Sequence, residues 1–322
     1  MQNTSSSIDF SKSIHASLAK LSNLNAKSAL DNYIWHRSSQ NELFGNILYF
    51  MKEIELGRLK VPTSPSSERI VNKWQLFIAM IQEFLRRGAI PSDFSLNPYI
   101  EVFAEQVQKL PQIMHWWLYP ESLIECFQTA LHHKRAGLKA RQFKEKINFQ
   151  PSNQIKVFNR LMLKHELLNC YFLEIPLATN NGVIQYPALL EIESLFPRLL
   201  KKFFLKLHRA SEFEKKLCDI QWRIVKGIDG VLIAHIVIYV PGEADIGINY
   251  FRQLWQETCL SEAPDIKNDT LYIHDPLSIY KEHVVAKKTW KDMIKSYHKS
   301  LEYYFYKNKK ISFEWSAYTG NI

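Results

Sequence analysis

The chain has 322 residues, enough for two domains, with 46% hydrophobic and 23% charged residues and a formal net charge of +9. That balance excludes a disordered chain, and the scarcity of glycine, with 10 in all, favours long helices over an all-β design. The four cysteines, Cys126, Cys170, Cys218 and Cys259, form no CxxC pair, which excludes a zinc ribbon.

Met1 is followed by a polar Asn/Ser stretch, so no secretory signal is expected. The longest apolar run, residues 231–240, is too short to span a bilayer. A cytoplasmic protein with reduced thiols and no membrane partner is therefore the expectation.

The first 130 residues read as helical. Segments 9–24 and 26–37 are short amphipathic candidates, and residues 41–57 place Leu43, Phe44, Ile47, Leu48, Met51 and Ile54 at helical spacing. A Pro/Ser breaker over 61–68, with Ser66 as a capping candidate, precedes a long helix over 68–87 that Gly88 and Pro91 end. Helices follow near 97–110 and 120–134, with Trp116 and Trp117 between them as core aromatics. His132 and His133 are adjacent, so on a helix they point about 100° apart and do not share a metal.

From 134 to 146 the chain turns basic, with Lys134, Arg135, Lys139, Arg141, Lys144 and Lys146 against Glu145 alone. The domain boundary is placed here: a helical N-terminal region over 1–145, then an α/β domain over 146–322. The aromatic N-terminal helices are open to a role in binding a partner protein.

The second half changes pattern. Residues 167–177 read as a strand, Asn180-Asn181-Gly182 as a turn, and 187–209 as a long helix with a basic end. Residues 219–226 alternate like a strand, Asp229-Gly230 turns the chain, and 231–240 follow as a strand buried on both faces. A helix over 248–258, a short strand over 270–274 and a long helix over 280–308 complete the set. The order β-α-β-β-α-β-α predicts an α+β protein with a ferredoxin-like or RRM-like antiparallel sheet.

On the strand over 231–240, Ile233, His235, Val237 and Tyr239 share one face, and Leu232, Ala234, Ile236 and Ile238 the other. His235 reads either as a core histidine or as a metal ligand, and Glu174 either as the partner of a nearby base or as a second ligand. In the last helix Trp290, Ile294, Tyr297, Leu301 and Tyr304 form an apolar stripe, so Tyr304 is either a core aromatic or a reactive tyrosine. Opposite that stripe Lys288, Lys291, Lys295 and Lys299 fall within about 80° of one another. Residues 281–310 hold nine lysines against Glu282, Asp292 and Glu302. Such a row is either a solvated face or a track for phosphates, each contact releasing counterions.

The run over 227–239, GIDGVLIAHIVIY, resembles the His-hydrophobic-His strand of inovirus-type gene-two replication initiators, which include prophage proteins of the YagK/YfjJ kind. Tyr250-Phe251-Arg252-Gln253-Leu254-Trp255 resembles the tryptophan-bearing helix that follows there. Tyr304-Phe305-Tyr306-Lys307 resembles the Tyr-x-x-Lys motif of that family, with a short aromatic tail behind it. The similarity covers about 165–320. It implies an HUH-endonuclease-like protein of rolling-circle DNA replication in a phage or prophage, acting on single-stranded or hairpin DNA. On that resemblance His235 and Glu174 hold Mg²⁺ or Mn²⁺, and Tyr304 attacks the phosphorus to end attached to a DNA 5′ end. Lys307 orients a phosphate, while Lys288, Lys291, Lys295 and Lys299 contact DNA. Tyr303 and Tyr306 are alternative nucleophiles. One departure matters: Ile233 stands where the family has the first of its two histidines. A DNA-binding regulatory or accessory protein without nicking activity is the alternative.

Overall fold

The computed structural model describes residues 29–62, 68–87, 90–110, 119–177, 186–210, 219–227, 232–242, 247–263, 271–307 and 312–318. The segment 9–24, the Ser66 cap, the Trp116-Trp117 pair and the turns at 180–182 and 229–230 lie outside these residues. The chain divides into two compact units, residues 1–91 with 96–144 and residues 92–95 with 145–322. Among the described residues no helix is long and apolar enough to cross a membrane.

The first unit is built from α1 (Ala29–Glu55), α2 (Glu68–Arg87), α3 (Pro98–Lys109) and α4 (Pro120–Lys134). The segments 26–37 and 41–57, expected as two helices, merge into α1 because no Pro or Gly interrupts residues 38–41. Asn97 caps α3 by accepting from the Tyr99 amide at 3.1 Å, with Pro98 in the first turn where its missing N–H costs nothing. Ile47, Ile54, Phe77, Ile100, Phe103 and Phe127 are fully buried, and Phe103 stacks on Phe127 at 5.8 Å. Arg135, left-handed at φ 51°, closes α4, and α5 (Ala136–Lys164) begins at once. The basic segment 136–146 is thus helical, and α5 continues through residue 145. Lys, Arg, Gln and Glu are good helix formers, and apart from Leu138 they fill the exposed positions of this stretch.

The second unit carries an antiparallel sheet. Its elements are β2 (Leu167–Leu177), α6 (Tyr186–Arg209), β3 (Asp219–Lys226), β4 (Leu232–Pro241), α7 (Ile248–Glu262), β5 (Tyr272–Ile273) and β6 (Leu277–Tyr280). Then come α8 (Val284–His298), a 3₁₀ turn (Lys299–Glu302), β7 (Tyr304–Tyr306) and β8 (Ser316–Ala317). The strand order is β5-β2-β4-β3-β8, with β6 beside β2 on the edge that β5 also uses. A separate two-stranded ribbon pairs β7 with β1 (Phe94–Leu96).

Period-2 alternation divides the sheet between two cores. Tyr171, Leu173, Ile175, Ala234, Ile236 and Ile238 pack under α6 and α7, against Phe196, Phe203, Phe251 and Trp255. Phe172, Val237 and Tyr239 face the other way, against Phe158 of α5 and Trp290 and Ile294 of α8. Both faces of the sheet are therefore covered by helices. That is why β4 is apolar along nearly its whole length.

One expectation fails clearly. The single helix predicted over 280–308 is instead β6, α8, a 3₁₀ turn and β7. Residues 303–306, Tyr-Tyr-Phe-Tyr, are all aromatic and suit a pleated strand better than a helix, and pairing with β1 gives their backbone partners. Tyr304 therefore sits on a strand and not in the last helix.

Candidate functional site

The sheet register sets three polar side chains in line. Glu174 on β2 lies opposite His235 on β4, and His235 lies opposite Arg223 on β3. All three belong to the face covered by α5 and α8. His235 is 0% exposed and Arg223 1%, while the Glu174 side chain keeps 17% of its surface.

A buried guanidinium is costly unless every N–H finds an acceptor or a π-face. Arg223 Nε donates to His235 Nδ1 at 3.1 Å, and Nη2 donates to the Tyr297 carbonyl at 2.8 Å. That carbonyl lies in the last turn of α8, where oxygens lack intrahelical partners and a cation is favoured. Nη1 sits 3.2 Å from His298 Nδ1, and the Trp315 ring faces the guanidinium at 4.9 Å. Trp315 Nε1 also donates to His298 Nε2 at 2.9 Å. Both nitrogens of His298 thus face donors. Burial first, then the Arg223 charge and His235, pulls its pKa down to about 2.

At the other end of the row the groups reach solvent. Glu174 Oε1 is 3.8 Å from His235 Nε2 and 3.8 Å from Nε2 of His274, which follows β5. The Tyr297 hydroxyl lies 2.5 Å from that same His274 nitrogen. Its ring stacks on Phe172 at 3.8 Å and 18°, which fixes where the phenol points. A carboxylate, an imidazole and a phenol therefore meet at one partly open spot. Chemically, such a trio can accept, hold or pass a proton.

Of the residues singled out from sequence, the structure brings Glu174 and His235 together. Tyr304 and Lys307 lie elsewhere, in and beside the β1–β7 ribbon. The Tyr304 ring packs on Phe94 at 5.6 Å, and the Lys307 amide donates to the Asp93 carbonyl at 2.8 Å. Tyr306 donates to Glu193 at 2.9 Å, and Glu193 pairs with Lys226 at 2.8 Å. Burial pushes the Tyr303 phenol up to about 12. The Tyr-x-x-Lys segment thus clasps residues 93 and 94 to the sheet unit, which is a structural task.

His235 and Glu174, expected as metal ligands, do not fit a divalent-metal site. A ligating imidazole normally offers a lone pair to the metal and donates its other N–H to an acceptor. Here His235 Nδ1 accepts from Arg223, so the ring proton of the neutral imidazole sits on Nε2, the nitrogen that faces Glu174. Among the described residues no group of three or more His, Cys, Asp or Glu side chains is disposed to hold a metal ion.

The outer face of α8 is different. Lys288, Lys295 and Lys299 are exposed, and Lys291 is half-buried with its ammonium 5.9 Å over the Phe158 ring. Lys295 meets Asp292 at 3.3 Å in an exposed pair that contributes little. Partial burial draws Lys299 below its ordinary pKa. A second basic row, not singled out from sequence, lies on the neighbouring helix: Lys156, Arg160 and Lys164 are exposed on α5 at successive i, i+4 positions.

Sequence reading also missed Arg223, His274, Tyr297 and His298 as members of the site. A signal existed for Arg223. It shares strand parity with Gln221 and Val225, opposite the apolar Ile220 and Ile224.

In comparisons with known proteins, no protein-family model matches the chain, and no curated protein or solved structure is significantly similar to it.

Proposed function

We propose that the second unit is a replication-initiator-like DNA-binding domain that holds a single-stranded or hairpin DNA on the lysine face of α8. The chain order β2-α6-β3-β4-α7-β5, with strand order β5-β2-β4-β3 and α6 and α7 on one face, supports the ferredoxin-like reading of this unit. One observation carries the functional reading. α8 buries Trp290, Ile294 and His298 against the sheet while turning Lys288, Lys295 and Lys299 to solvent. The row on α5 extends the positive field on the same covered side of the sheet. A row of this kind binds phosphates without reading bases, so affinity falls with salt and sequence preference is weak. Anisotropy titrations of labelled hairpin DNA across a salt series test it: linear loss of log affinity with log salt supports the reading. Absence of binding at low salt contradicts it.

A second reading, nicking of the bound strand, is favoured by the 2.5 Å contact between the Tyr297 hydroxyl and His274. Tyr297 takes the role that the resemblance gave to Tyr304. In that step a Tyr297 Oη–P bond forms as the P–O3′ bond breaks, the phenol proton passes to His274, and the leaving 3′ oxygen takes a proton from water to become a 3′-hydroxyl. A covalent protein–DNA adduct that survives Tyr304→Phe and is lost in Tyr297→Phe supports it. No adduct from the unmodified chain leaves the domain as a binding protein for a mobile element's DNA, acting as a regulatory or accessory factor.

A further inference from the structure

We infer that Arg223 stands in place of a metal ion behind this site: it locks the tautomer of His235, whose Nε2 faces Glu174, and holds the helix end that carries Tyr297. Three observations lead there. First, the Arg223 Nε–H bond to His235 Nδ1 is made between two fully buried groups, where no water competes for it. Second, that bond dictates where the histidine proton lies. A guanidinium has donors only, so Nδ1 must accept and Nε2 must carry the hydrogen, on the side of Glu174 Oε1, which lies 3.8 Å away and beyond hydrogen-bond reach. A doubly protonated ring is excluded as well, since it would set N–H against N–H beside a full positive charge. Third, the same guanidinium holds the Tyr297 carbonyl, so one side chain fixes both the histidine and the helix end that carries the phenol.

The result is a directional row from the covered centre of the sheet to its partly open edge: guanidinium, imidazole, carboxylate, and then the His274–Tyr297 pair. A divalent ion would need the lone pair on His235 Nε2 that this row removes. Arg223 is thus a positioning residue, and the Glu174–His274–Tyr297 trio is a site that works without a metal. This inference does not depend on DNA binding, and its test contains no DNA.

The test is long-range ¹H–¹⁵N imidazole spectroscopy on the full ¹⁵N-labelled chain near neutral pH, with the His235 ring assigned by its loss in His235→Gln. The expected spectrum shows His235 protonated on Nε2 and accepting at Nδ1, unchanged by millimolar Mg²⁺ and not broadened by substoichiometric Mn²⁺. A His235 ring protonated on Nδ1 overturns the inference, as does Mn²⁺ broadening of His235 that Glu174→Gln relieves. In Arg223→Leu, where folded, the ring is expected to lose its single fixed tautomer. Retention of the Nε2–H form there would show that Arg223 does not set it. The unmodified chain suffices for the decisive reading if the variant does not fold.

Discussion

The two faces of α8 invite comparison. The inner face closes over a polar row in which Arg223, His235 and His298 are tied to one another and to Trp315. The outer face carries lysines that reach solvent, with Asp292 as the only acid on the helix. Both faces are rich in nitrogen, yet they do opposite things. Inside, the Arg223 guanidinium is engaged by His235 Nδ1 and the Tyr297 carbonyl, so its charge serves position. Outside, Lys288, Lys295 and Lys299 are exposed to solvent. Basic character alone therefore does not mark a binding surface, since only exposed charge can reach a polyanion.

The strongest way to break the inner face is Arg223→Leu. It removes the donor to the Tyr297 carbonyl and takes from His235 Nδ1 the N–H that it accepts. The expected loss is about 3 kcal/mol, read by chemical denaturation. An outer-face change of similar size in charge should leave stability within about 0.5 kcal/mol.

Acid should separate the two faces next. The folded pKa of His298 lies near 2, below the usual 6.5, because burial and Arg223 oppose its protonation. The unfolded chain binds that proton more readily, so the contribution is complete above pH 6.5 and is lost progressively as pH falls toward 2. Denaturation midpoints measured from pH 7 to 4 are expected to fall, and His298→Asn to flatten the slope. A slope unchanged by that substitution would separate His298 from the effect.

The smallest change sharpens the outer face. Asp292→Asn removes the only acid of the helix and its exposed pair with Lys295. Stability should move by about 0.5 kcal/mol or less. DNA affinity at low salt should rise, as measured by anisotropy.

Much of the fold is legible in the sequence because period-2 alternation and turn residues are local signals. The parity of His235, Val237 and Tyr239 against Ala234, Ile236 and Ile238 is the parity of the two cores. The site is legible only in part. Glu174 and His235 carry the right residue types, but their opposition depends on β2–β4 register, which a long connection through α6 and β3 leaves unstated. Arg223 escapes notice because alternation in 219–226 marks a strand but does not say which long-range partners, here His235 and the end of α8, its side chain meets. Helical spacing puts Tyr297 in the apolar stripe, which its stacking on Phe172 bears out for the ring but not for the hydroxyl. The largest departure comes from extending the last helix through Tyr304. That extension gives a buried ribbon tyrosine the place that Tyr297 holds beside His274.

The most direct measurement is the salt dependence of DNA binding by Lys288→Gln/Lys291→Gln/Lys295→Gln/Lys299→Gln, set against the unmodified chain with both shown to be equally stable. If the outer face of α8 holds the strand, affinity falls and the slope of log affinity against log salt shrinks by roughly 0.7 for each phosphate that the variant no longer neutralises. An unchanged affinity and slope would contradict the account.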